Sequence, residues 1–182
     1  MRPVQRRVAA VLTLILAGCG TGTATGSDAG PSVDADLAPL ARFTEEIDGS
    51  GLLDFDGTTL DGAAFRGASL AGKPVALWFW APWCPNCNEE APSVVQASRD
   101  HDDVTFVGVA GRDDTPAMEE FVATYGITFP TLVDPDGSLW QRFGVLGQPA
   151  WVFFDGRGHA YRIQGGPTDS ERARILDDLA AS

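Results

Sequence analysis

The sequence predicts an α/β domain in which a central mixed β-sheet is flanked by helices. Three observations predict it. Val75 to Ala81 is an unbroken apolar run, as in a strand buried on both faces. Strand-like and helix-like segments then alternate up to Val133, the βαβαβ order of a layered sheet. Towards the C-terminus two apolar stretches flank Asp155-Gly156-Arg157-Gly158, which reads as a β-hairpin.

The chain has 182 residues, which suits one domain with extensions. The first segment is not part of the fold. Arg2, Arg6 and Arg7 precede the short apolar run Val8 to Ala17, the pattern of an export leader. That run is too short to span a bilayer as a stable helix. It ends in Leu16-Ala17-Gly18-Cys19, which resembles the bacterial lipobox, in which the cysteine is lipidated and the chain is cleaved before it. Residues 1–18 are therefore read as a lipoprotein signal peptide and Cys19 as the lipidation site. Residues 19–39 are rich in Gly, Ser, Thr, Ala and Asp without apolar periodicity, and read as a flexible tether. The folded domain is placed at residues 40–182.

Within the domain, Phe43 to Phe65 carries short apolar pieces broken by Asp48-Gly49, Asp56-Gly57 and Asp61-Gly62, so small strands or a hairpin are expected. Ala68 to Gly72 reads as one helical turn before the strand Val75 to Ala81. A helix should follow from Asn86 to about Ser98, with Pro92 in its interior. Val104 to Ala110 is the next strand, and Pro116 to Tyr125 a helix stopped by Gly126. Thr131 to Val133 is a short strand and Leu139 to Phe143 a short piece. Asp134-Pro135-Asp136-Gly137 faintly resembles a calcium loop but lacks the remaining ligands, so turn chemistry accounts for it. Ala150 to Phe154 and Ala160 to Gln164 form the hairpin. The closing helix spans Thr168 to Ala180, with a Thr168/Glu171 capping box and Ile175, Leu176 and Leu179 facing inward.

The chemistry sits where the apolar strand meets the first helix, at Trp83-Cys84-Pro85-Asn86-Cys87. A helix N-terminus presents unpaired N–H groups and partial positive charge, which stabilise a thiolate. Cys84 falls at that N-terminus, with Pro85 at the first helical position, where a missing N–H costs nothing. Cys87 is one turn on and close enough for an intrachain disulfide. An exposed Cys84 and a shielded Cys87 are expected. The alternative is half of a metal site. Zinc takes four ligands, and beyond the two thiols only His101, His159 and carboxylates are available. His101 reads as a solvated loop residue and His159 as part of a late strand. No metal is therefore expected, and no cofactor beyond the redox-active Cys84–Cys87 disulfide.

Composition bounds the partners. The formal net charge is −12, which argues against nucleic acid and against a basic lipid-binding patch. With Cys19 lipidated, the remaining two of the three cysteines both lie in the motif, in a compartment where disulfides persist.

The segment Phe79-Trp80-Ala81-Pro82-Trp83-Cys84-Pro85-Asn86-Cys87 resembles the active-site stretch of the thioredoxin superfamily, and within it the extracytoplasmic TlpA/ResA/DsbE-like branch. Gly72-Lys73-Pro74, Glu90 and Pro92, the stretch Phe129-Pro130 to Asp136-Gly137, and Gln148-Pro149 all fit that pattern. The resemblance covers about Leu40 to Ser182. It is similar in particular to lipid-anchored DsbE/DsbF-like proteins of high-GC Gram-positive bacteria. The resemblance implies a thioredoxin-like fold with small N-terminal strands and a central βα insert. It also implies thiol:disulfide exchange with exported proteins through Cys84 and Cys87, with oxidation favoured. Trp83 would form the substrate-facing rim, Pro149 would be a cis-proline exposing the backbone of Gln148 to substrate, and Glu90 would be the active-site acid. One departure is that Trp78 stands where thioredoxins carry a buried aspartate. A membrane redox partner would reset the disulfide, and the protein is expected to act as a monomer. The alternatives are a thiol reductase of the cytochrome c maturation type and a metallochaperone; copper chaperones of this fold use C-x-x-x-C, which counts against the latter.

Overall fold

In a computed structural model of the protein, residues 44–182 are described. The leader (1–18), Cys19, the tether (19–39) and the domain start at residue 40 lie outside the described residues.

The described chain runs β1 (Glu45–Ile47), β2 (Asp56–Thr58), β3 (Ala64–Arg66), a short 3-10 turn (Gly67–Leu70), β4 (Val75–Trp80) and α1 (Pro85–Asp100). It continues as β5 (Thr105–Gly111), α2 (Thr115–Tyr125), β6 (Thr131–Asp134), α3 (Ser138–Arg142), β7 (Ala150–Phe154), β8 (Ala160–Gln164) and α4 (Asp169–Ala180). Six strands form one sheet in the order β1-β8-β7-β4-β5-β6. β4, β5 and β6 are parallel, while β7 pairs antiparallel with both β4 and β8. This is the mixed sheet flanked by helices of a thioredoxin-like fold. The small hairpin β2–β3 is a separate sheet, and a bridge from Thr59 to Leu132 lays its end against the β6 edge, which shields an otherwise open row of backbone groups.

All six residues of β4 are buried, as an unbroken apolar run requires. Its side chains alternate between two aromatic layers. Trp78 and Trp80 turn to one face, where Trp80 stacks on Phe121 of α2 at 4.1 Å between ring centroids and Trp78 stacks on Trp151 at 6.1 Å. Phe79 turns to the other and meets Phe143 at 5.5 Å and Trp140 at 6.3 Å. This period of two is what places the Trp78 indole beneath α1.

The helix ends follow their sequence signals. Asp114 caps α2 and Gly126, at φ 65°, ends it in the left-handed conformation that glycine accepts freely. The Thr168/Glu171 capping box is formed in both directions. The Asp134 turn serves α3: the buried carboxylate accepts the Leu139 N–H at 3.1 Å and the Trp140 N–H at 2.9 Å.

Two histidine assignments are corrected. His101 is not a solvated loop residue. Its ring packs at the end of α1, with Nδ1 3.0 Å from the Ala97 carbonyl and Nε2 3.2 Å from Asp177 of α4. His159 lies in the turn before β8, not in the strand, and its Nδ1 is 2.8 Å from the buried Asp155 carboxylate, which organises the hairpin turn. Both rings hold elements together.

Candidate active site

β4 ends at Trp80, and four residues later Cys84 becomes the N-cap of α1. Its extended backbone (φ −79°, ψ 114°) aims the side chain back at the helix, so that Sγ accepts the Cys87 N–H at 3.1 Å. Pro85 occupies the first turn, where its missing N–H leaves no acceptor unpaired. No acidic residue lies in that turn to oppose a thiolate. Cys84 and Cys87 are joined in a disulfide with Cα atoms 5.2 Å apart. The arrangement can therefore close and open a disulfide, and it directs the helix N-terminus at one sulfur, Cys84.

The expected exposure of Cys84 is corrected. Cys84 is 3% exposed and Cys87 0%, because in the oxidised state the Cys84 sulfur is bonded inward and also receives a backbone N–H. The asymmetry has the anticipated sign but is small. The exposed residues of the motif are Trp83, at 54%, Pro85 and Asn86. The Trp83 indole N–H donates to the Arg112 carbonyl at 3.2 Å. Arg112, just past β5, holds a left-handed backbone (φ 60°) that is uncommon outside glycine, and its guanidinium lies 4.8 Å from the centre of the Trp140 ring. A strained residue thus fixes the rim tryptophan.

Asn88 fastens the loop from the other side. Its amide donates to the Pro82 carbonyl at 3.0 Å and the Cys84 carbonyl at 2.7 Å, while its Oδ1 accepts the Tyr125 hydroxyl at 2.7 Å. Neither Asn88 nor Arg112 stands out in the sequence, because their partners are backbone carbonyls or come from another helix.

The Gln148–Pro149 peptide bond is cis and immediately precedes β7. Ala150 pairs with Phe79, which sets this bond beside the end of β4 that leads into the motif. Asn86, Glu89, Glu90, Pro149, Gly166 and Asp169 line one open groove there.

Glu90, one turn beyond Cys87, is partly buried and accepts the Trp78 indole N–H at 2.5 Å. Trp78, in the place where thioredoxins carry an aspartate, thus supplies a donor and Glu90 the carboxyl. Burial pushes the Glu90 carboxyl up to about 7; the Trp78 hydrogen bond and the Arg172 charge act against that, while Asp169 adds to it. Among the described residues, no group of three or more His, Cys, Asp or Glu side chains is placed to hold a metal ion.

Comparison with known proteins agrees with this geometry. The AhpC/TSA family model matches residues 49–163, which is most of the described domain. The chain belongs to the AhpC/TSA family. Its relatives narrow the placement within that family. It is 50% identical to the soluble secreted antigen MPT53 of Mycobacterium tuberculosis over 119 residues, covering 65% of this chain and 69% of that one. It is 26% identical to the thiol-disulfide oxidoreductase ResA of Halalkalibacterium halodurans over 133 residues, covering 71% and 73%. Among solved structures, MTB DsbF superposes with a TM-score of 0.69 at 50% identity, covering 71% of this chain and 97% of that one. A secreted Mycobacterium tuberculosis disulfide oxidoreductase homologous to E. coli DsbE superposes with a TM-score of 0.66 at 45% identity, covering 73% and 99%. Within the AhpC/TSA family, the chain is thus kin to thiol:disulfide oxidoreductases of the DsbE, DsbF and ResA type.

Proposed function

We propose that the protein is an extracytoplasmic thiol:disulfide oxidoreductase that oxidises thiols of exported proteins. The observation that carries the reading is the Cys87 N–H aimed at Cys84 Sγ at the N-terminus of α1. A substrate thiolate attacks Cys84 Sγ, the Cys84–Cys87 bond breaks, and Cys87 leaves with the electron pair. A proton then reaches Cys87, with Glu90 as its source. The second substrate thiolate attacks the substrate sulfur of the mixed disulfide, and Cys84 leaves as a thiolate. The substrate gains a disulfide and the protein is left reduced. A thiolate stabilised by the helix N-terminus is a good leaving group, which favours this direction. Trp83 and the Gln148 backbone beside Pro149 receive the substrate chain, and a membrane partner restores the disulfide.

Equilibration of the purified protein against glutathione tests the direction. A reduction potential between about −120 and −180 mV fits an oxidant. A value near or below about −270 mV would assign the reducing role of the cytochrome c maturation type instead.

Export is supported by the leader pattern and by the secreted relatives. We place the protein on the outer face of the cell membrane, held as a monomer by a lipid on Cys19 and a tether over residues 19–39. Labelled fatty acid is expected on the full chain and not on a Cys19→Ala variant. Equal labelling of the two would remove Cys19 as the anchor.

A further inference from the structure

The apolar face of α4 does not account for Arg172. Ile175, Leu176 and Leu179 turn that face into the core, and Arg172, one turn before Ile175, is only 2% exposed. A guanidinium so deep needs partners. Nη2 donates to the Asp169 carboxylate and to Ser93 Oγ, the latter at 2.6 Å, while Nη1 makes no hydrogen bond among the described residues. Asp169 has 78% of its side chain exposed, so water shares its charge and the pair is a weak reason to bury a cation.

The remaining contacts of Arg172 converge on one residue. Ser93 Oγ, which accepts from Arg172, donates to the main-chain carbonyl of Glu90 at 2.9 Å. The guanidinium lies 5.7 Å from the centre of the Trp151 ring, Trp151 stacks on Trp78, and Trp78 donates to Glu90 Oε1. On the other side of the carboxyl, a Cβ on Gly166 would lie 2.5 Å from Glu90 Oε2 and 3.4 Å from Pro149. Glu90 is therefore boxed by β4, β7, the Pro149 loop, the loop before α4 and α4 itself.

We propose that Arg172 is a positioning residue for Glu90: it is the buried cation that lets this carboxylate carry its charge after it has given its proton to the departing Cys87. The proposal rests on the exchange reaction set out above. In that reaction the Cys84–Cys87 bond breaks, Cys87 takes the electron pair and then the Glu90 proton, and the resulting carboxylate is left in the field of the Arg172 charge. The charged or titratable groups around Glu90 are Arg172 and Asp169 from α4, Glu89 in the same groove and the Cys87 thiol when reduced. β4 and β7 contribute neutral indoles, and Gly166, Pro167 and Thr168 carry no charge.

The test is carbon NMR of the Glu90 side-chain carboxyl in the oxidised full chain across pH, beside the pH dependence of reduction by glutathione. Arg172→Met is expected to lower the Glu90 ionisation constant about tenfold, and Arg172→Lys to restore most of it. Asp169→Asn, which removes the charge but keeps an oxygen able to accept from Arg172, is expected to raise it. The glutathione pH profile should shift with the carboxyl in each variant. If neither Arg172→Met nor Asp169→Asn moves the Glu90 titration, the proposal is wrong. A carboxyl that shifts while the glutathione profile stays fixed also overturns it, since Arg172 would then have no part in the exchange. Both results leave the exchange activity standing; only wild-type protein unreactive towards glutathione would remove the activity itself.

Discussion

Cys84→Ser should abolish disulfide exchange, by at least about 10³-fold, while Cys87→Ser should yield a protein that captures its substrates. The two cysteines are chemically alike, and the fold separates them. Cys84 is the N-cap of α1, and its sulfur receives the N–H of Cys87. Cys87 is fully buried one turn further on. Without Cys87, the Cys84 thiolate still attacks the disulfide of an oxidised partner, the reverse of the proposed step, but no internal thiol can release it. Mixed disulfides should then accumulate as reducible high-mass bands on non-reducing gels. Without Cys84, the remaining thiol is fully buried and lacks the helix N-cap position. Both variants should fold, because the bond joins residues only three apart and removes little freedom from the unfolded chain. If instead Cys84→Ser traps substrates and Cys87→Ser is inert, the roles assigned to the two sulfurs are reversed.

The placement of the two sulfurs was legible in the sequence because its causes are local. A continuous apolar run, a proline at the first helical position and a three-residue spacing place both sulfurs without reference to the rest of the chain. The β7–β8 hairpin and the Thr168/Glu171 cap were legible for the same reason. What depends on distant partners was not. Three residues of β1 give no sign that they will pair with β8, where Glu45 stands opposite Arg162 and meets it at 2.7 Å. His101 sits in a polar triplet that reads as solvated, yet Asp177, far along the chain, draws its ring against α1 and α4. Glu90 could be named from the family resemblance, whereas its box could not, since Trp78, Gly166 and Arg172 arrive from three other segments. Arg172 is the hardest to foresee: a charged residue in a helix reads as surface, and only the packed structure turns it inward.

Glu90→Gln should make the protein more stable at pH 8 and slower in exchange. Burial raises the Glu90 carboxyl from the usual 4.5 to about 7. Between these values the folded chain holds a proton that the unfolded chain has released, so stability falls as pH rises. The contribution is complete below about pH 4.5 and lost above about pH 7. Its full size would be about 3 kcal/mol, and partial solvent access reduces it, so about 1–3 kcal/mol is expected. Glutamine has no charge to desolvate, and its amide oxygen can still accept the Trp78 N–H. The variant should therefore match the wild type in urea unfolding near pH 4.5 and exceed it at pH 8. Exchange should slow by about 10²-fold or more, because the proton donor for Cys87 is gone. A variant that is no more stable at pH 8 and exchanges at the wild-type rate would reduce Glu90 to a helix glutamate that happens to touch Trp78. The opposite pair of results is the mark of a functional acid, since a group that weakens the fold at working pH persists where the chemistry requires it.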